Sequence, residues 1–217
     1  MITSATPITH APEWSSLCQW ADSHYRCRTF SRDARIPTRP GLIYITLQGV
    51  VRLVSLTPDN HEVFVGFLTE GSPFEVTEQD RFELQAVTQV DQTTVMWFYW
   101  EDLQQWPRFQ QRIQDEFRYQ LQRKLLWLGN LGQRRAIDRL RGFLTLLVEE
   151  HGQPYQGGMV LPWTLTHAQI GDAIGATRVT VTRLFGTLRH KGFVQILDQN
   201  QLFLPHAVHI PRFARTA

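Results

Sequence analysis

The residues best suited to chemistry lie between Gly175 and Arg189, in the run GATRVTVTRLFGTLR. Arg178 and Arg183 enclose a β-branched stretch, Val179, Thr180, Val181 and Thr182. Each such residue costs a helix roughly a few tenths of a kcal/mol. Leu184, Phe185 and Leu188 nevertheless continue from Val181 at helical spacing. Short stiff side chains beside long cationic donors suit a helix end that enters a groove lined by hydrogen-bonding edges. Arginine can hold guanine O6 and N7 together, and valine or threonine methyls fit the thymine methyl. The hydroxyls of Thr177 and Thr180, with the amides of a helix start, suit phosphates.

Positioning such a face requires a support, and the preceding residues supply one. Thr166 is placed to cap a short first helix, with Gln169 three residues later as a capping box needs. Ile170, Ala173 and Ile174 form its inner face, and Gly171 is small where a crossing helix must come close. Gly175 stands where the chain needs a positive φ, and Thr177 caps the second helix. Val181, Leu184, Phe185 and Leu188 then point inward, leaving Arg178, Val179, Thr182, Arg183 and Gly186 outward. Thr166, His167 and Arg189 complete the candidate contact set. Residues 164–191 carry a net charge of +3 while the whole chain carries +2, so the positive charge is local. HKGFVQIL, a DQNQ turn and LFLPH follow, the pattern of a two-stranded wing.

The rest of the chain divides by texture. Residues 1–20 hold Pro, Ser and Thr without periodicity and read as a tail or short docking segment. Residues 21–108 alternate like strands: GLIYITLQ, then VVRLVSL after Gly49, VFVGFL, FELQAVT and TTVMWFYW. That spacing predicts a sandwich or jelly roll, with Trp97–Trp100 in core and rim. Residues 109–133 read as one long helix whose apolar stripe, from Ile113 through Phe117, Leu121, Leu125 and Leu128 to Leu131, covers about half the circumference. A stripe that wide serves two surfaces, the chain's own β domain and a second copy, with Lys124 as a polar register element. Residues 134–217 would form the winged helix–turn–helix, opened by an amphipathic helix over 134–152. The predicted class is α+β.

Composition sets the outer bounds. The chain has 217 residues, 42% hydrophobic and 19% charged, which suits a globular protein with substantial cores. Cys18 and Cys27 are too few for a four-thiolate metal or cluster site and fit a reducing cytoplasm; a disulfide between them stays open. No apolar run approaches the roughly 18 residues of a membrane span. The eight histidines form no HExxH, and His206 and His209 make one isolated HxxH. No phosphate loop, nucleophile elbow or spaced carboxylate pair occurs, so an enzyme is not expected.

Taken together, YITLQGVVRLV (44–54) and LTHAQIGDAIGATRVTVTRLFGTLR (165–189) resemble the bacterial regulators named after the cyclic AMP receptor protein and FNR. GATRVTVTRL is most similar to the cyanobacterial nitrogen-control branch, which has valine where the cyclic AMP receptor has glutamate. The resemblance implies a β-roll sensor like a cyclic-nucleotide-binding domain, a dimerisation helix and a winged helix–turn–helix. It implies that Arg178 and Arg183 contact bases in an inverted repeat of GTA and TAC half-sites. It also implies contact between RNA polymerase and the loop His151–Val160.

The sensor segment GSPFEVTEQDRFELQA (71–86) departs from the family's phosphate cassette, placing Glu75 and Glu78 where an anion would sit. Like charges at close range disfavour cyclic AMP there. The nitrogen-control branch binds 2-oxoglutarate with two arginines. Arg81 could match the first, but Gln120 stands at the second and Leu125 where the branch has glutamate. Phe74, Val76, Arg81 and Gln120 are the candidate effector residues. Two functions therefore compete: a homodimeric DNA-reading transcription regulator, and a metabolite- or protein-binding module whose helix–turn–helix is vestigial or mediates protein contact.

Overall fold

The structure, a computed structural model, describes residues 14–59, 61–76, 78–79 and 82–205. They fall into two compact units that divide between Lys124 and Leu125. Of the expected features, the tail residues 1–13, Arg81 and the His206/His209 pair lie outside the described residues.

The first unit begins with helix α1 (Trp14–Ser23), followed by strands β1 (Cys27–Phe30), β2 (Arg35–Ile36), β3 (Leu42–Gln48), β4 (Val51–Leu56), β5 (Glu62–Leu68), β6 (Pro73–Phe74), β7 (Glu78–Gln79), β8 (Phe82–Thr88) and β9 (Thr93–Tyr99). One sheet runs β1-β9-β3-β6 and the other β2-β8-β4-β5 with β7 beside β8, all antiparallel. Gly49, at φ +86°, turns β3 into β4; a Cβ there would sit 2.6 Å from the Thr93 hydroxyl.

Alternation in β3 suggests one buried and one wet face, yet Leu42 to Thr46 are buried throughout. Leu42 and Tyr44 face an inner core with Val51, Leu53, Phe74 and Val95. Ile43 and Ile45 face an outer core with Met96 and Phe98, roofed by Leu17, Ala21, Phe109 and Ile113. Helices therefore cover the side that a two-sheet sandwich would leave to solvent. Residues 14–20, read as a tail or a short docking segment, are part of this roof: Leu17 and Ala21, one helical turn apart, are fully buried. Cys18 and Cys27 are free thiols. Burial is the main reason their pKa values are raised.

Helix α2 (Pro107–Leu131) spans the expected long helix. In the second unit, α3 (Ala136–His151) precedes a hairpin of β10 (Gln153–Tyr155) and β11 (Gly158–Val160), where an open loop was expected. Then come α4 (His167–Ile174), α5 (Arg178–His190), β12 (Gln195–Ile196) and β13 (Leu202–Pro205). The wing pair β12–β13 is present and extends into a four-stranded sheet, β10-β11-β13-β12. Among the described residues, no helix is long and apolar enough to cross a membrane, and no three His, Cys, Asp or Glu could hold a metal ion.

Candidate nucleic-acid interface

The two helices α4 and α5 are set by their caps. The Thr166 hydroxyl accepts from the Gln169 amide at 3.1 Å, and the Gln169 side chain accepts from the Thr166 amide at 3.0 Å. This reciprocal pair satisfies two donors that a helix start leaves without partners. Gly175 ends α4 in the left-handed region, at φ 63° and ψ 52°. Gly171 is needed for a backbone approach: a Cβ there would lie 2.5 Å from the Ala176 carbonyl oxygen, so the turn itself, rather than a crossing helix, demands the glycine. Thr177 then caps α5, accepting from the Thr180 amide at 3.2 Å and donating to the Thr180 hydroxyl at 3.0 Å.

Val181, Leu184, Phe185 and Leu188 are buried, as their spacing predicts. Arg178, Val179, Thr182, Arg183 and Arg189 are exposed, Val179 by 79%. Among the described residues, none of these three guanidinium groups is hydrogen-bonded or ion-paired. Thr182 differs from its neighbours because its hydroxyl donates to the Arg178 carbonyl at 2.9 Å and lies 2.9 Å from His167 Nδ1. A hydroxyl has one proton, so His167 must donate through Nδ1–H, which leaves Nε2 as an acceptor. The imidazole packs on Phe185, with ring centres 5.2 Å apart. Burial, and secondly the Arg178 charge, hold its pKa below the ordinary value. His167 and Thr182 thus form one unit bridging the starts of both helices.

Residue spacing does not single out the side chain that anchors the end of α4. Arg139 of α3 donates through Nε to the Ile174 carbonyl at 2.8 Å and reaches the Gly175 carbonyl at 3.5 Å. It also donates to the Gln133 carbonyl at 3.0 Å and the Arg134 carbonyl at 3.4 Å. One guanidinium therefore ties the segment before α3 to the end of α4. In sequence Arg139 is one of several arginines in RRAIDRLRG and carries no distinguishing signal.

The long-helix residues separate into two groups. Ile113 is fully buried in the outer core, which corrects its assignment to a surface offered to a second copy, while Phe117 packs against that core and is only partly buried. The Lys124 ammonium points toward Gly66 of β5, 3.6 Å from where a Cβ would stand. Leu121, Leu125 and Leu128 are 59, 58 and 66% exposed, and Leu131 is exposed too.

The candidate effector residues are also redistributed. Phe74 stacks on Tyr44 at 5.2 Å and, like Val76, belongs to the inner core. Both side chains are taken up by core packing, with 2% and 5% of their surface exposed. Gln120 does reach this segment, donating to the Pro73 carbonyl at 2.9 Å. Glu75 is exposed and accepts from the Trp100 indole at 2.8 Å.

Comparison with known proteins agrees with this geometry. Residues 138–206 match the Crp-like helix-turn-helix domain. The global nitrogen regulator of Nostoc sp. is 31% identical over 179 residues, covering 77% of this chain and 80% of that protein. Its namesake in Synechococcus elongatus is 30% identical over 162 residues, covering 71% of this chain and 73% of that protein. Among solved structures, a CooA mutant from Carboxydothermus hydrogenoformans superposes with a TM-score of 0.70 at 20% identity, covering 94% of this chain and 92% of that one. A CRP-family transcriptional regulator from Thermus thermophilus gives 0.64 at 19% identity, covering 82% and 91%.

Proposed function

Given that the chain belongs to the cyclic AMP receptor protein/FNR family of DNA-binding transcription regulators, with cyanobacterial global nitrogen regulators among its relatives, we propose that it acts as a homodimer reading an inverted repeat of GTA and TAC half-sites. Arg178 and Arg183 read base edges, and Val179 lies against a thymine methyl. Thr166, Thr177, Thr180 and Arg189 contact the backbone. The observation that carries this reading is the leading turn of α5, whose exposed arginines flank a bare valine and have no ion-pair partner among the described residues.

The stripe Leu121, Leu125, Leu128 and Leu131 supports dimerisation, because fully burying one leucine stabilises by about 1.5–3 kcal/mol. Pairing along it would bring two recognition helices to major grooves about one turn, ~10 bp, apart. The sensor is altered from its relatives. Phe74 and Val76 fill its core, Gln120 is engaged with backbone and Glu75 repels anions, so neither cyclic AMP nor 2-oxoglutarate is proposed at that segment. The β10–β11 hairpin is the proposed contact with RNA polymerase.

Selection from randomised duplexes with purified protein tests the reading directly. A symmetric GTA/TAC consensus is expected. An asymmetric consensus, or none, would overturn it, and weak binding insensitive to salt would favour a vestigial motif.

A further inference from the structure

Alternation along the first sheet places Arg26, Arg28 and Phe30 of the β1 segment on the face that also carries Tyr44 and Trp97. That face closes the inner core, to which Phe30 and Trp97 contribute. A sandwich ordinarily fills inward positions with apolar side chains. Here the pattern changes at the sheet's end, where a cleft of about 350 Å³ opens. Arg39, after β2, also lines it, and no acidic residue is among its lining.

The three guanidinium groups are not equivalent. Arg26 is ion-paired with Asp102 and lies 5.1 Å from the Tyr99 ring centre, so its charge is already matched. Arg28 lies 5.2 Å over the Phe30 ring and, like Arg39, has no ion pair among the described residues. The Arg39 amide donates to the Tyr44 hydroxyl at 2.8 Å, which fixes its backbone at the cleft.

We propose that this cleft is a ligand site for a small organic acid that joins an aromatic ring to a carboxylate or phosphate. Arg28 and Arg39 hold the oxyanion, since a guanidinium presents paired N–H donors to either group. Trp97 and Tyr99 supply flat walls for the ring. The volume lies at the low end of small-molecule pockets, roughly 300–1,000 Å³, which suits one ring and its head group. The site lies wholly in the first unit and is independent of the DNA-reading proposal.

Calorimetric titration of the full chain tests it with four probes: phenyl phosphate, phenylacetate, inorganic phosphate and benzyl alcohol. Saturable binding is expected for at least one ring-bearing acid, with inorganic phosphate and benzyl alcohol at least tenfold weaker. R28Q and R39Q should each weaken that acid about tenfold and leave the thermal melt and DNA affinity unchanged. The proposal is overturned if neither acid saturates, if inorganic phosphate binds equally well, or if the R28Q/R39Q double variant binds as the unaltered chain does. Which acid binds more tightly separates a carboxylate from a phosphate ligand.

Discussion

Asn130, near the end of α2, donates to the Arg139 carbonyl at 2.9 Å, and its Oδ1 fills the space in front of Gly142. A Cβ at Gly142 would stand 1.8 Å from that oxygen. Gly142→Ala would raise helix propensity, yet it must displace a buried, hydrogen-bonded amide. The expected outcome is a loss of about 1–3 kcal/mol, read by chemical denaturation. Asn130→Ala alone should also destabilise, but the double variant should lose less than the two single losses summed. Strict additivity would show that the two residues do not share this space.

Arg139→Met retains much of the stem and removes the clamp on Ile174, Gly175, Gln133 and Arg134. Hydrogen bonds to charged donors are worth roughly 1.5–3 kcal/mol each when well formed, and the solvent-facing ones less. A loss of about 2–3 kcal/mol in the second unit is expected. Specific DNA affinity should fall further than nonspecific affinity, because α4 and α5 lose their fixed approach. Equal losses in both would make Arg139 a stability residue only.

The reading surface was legible because its signals are local. Capping pairs, a positive-φ glycine and a four-residue apolar face each lie within one or two turns of chain. What escaped is long-range or depends on a second layer. The strand pattern of β3 says nothing of the roof formed by Leu17, Ala21 and Ile113, which buries its second face. Ile113 and Leu128 belong to one broad apolar stripe of α2, and the sequence does not say that only Ile113 is covered. Nothing in the sequence around Phe74 shows that its ring is stacked on Tyr44; only packing reveals it.

His167 gives the second unit a dependence on acidity. Its pKa is held below the ordinary histidine value of about 6.5, so unfolding takes up a proton between those two values. Stability from this residue is therefore complete above about pH 6.5 and declines as pH falls through the folded value. Protonation also places a second N–H on the ring and a charge near Arg178. His167→Gln should flatten that portion of the stability profile, measured by denaturation at stepped pH. An unchanged profile would assign the acid sensitivity to other groups.

The exposed leucines of α2 predict the assembly state. Leu125→Glu with Leu128→Glu places charge where a paired helix would need apolar contact. Light scattering should show a dimer for the unaltered chain and a monomer for the double variant. Because both side chains are exposed within one chain, the monomer should keep its circular dichroism spectrum. A monomeric unaltered chain, or a variant that remains dimeric, would remove this stripe as the interface.

Arg178 and Arg189 are both exposed on α5, yet they should fail differently when replaced. In the proposed reading, Arg178 at the leading turn meets a base edge and Arg189 at the trailing end meets phosphate. Arg178→Ala should cost about 1–3 kcal/mol on the preferred duplex and almost nothing on one already mutated at the base pair it reads. Discrimination at that position would then vanish in both half-sites. Arg189→Ala should weaken every duplex alike and lower the slope of log affinity against log salt by about one per lost phosphate contact. Competition binding across single-base variants at several salt concentrations separates the two patterns. If Arg178→Ala produced the uniform, salt-linked loss instead, the arginine would be gripping backbone, and the base reading assigned to this turn would have to pass to Arg183 alone.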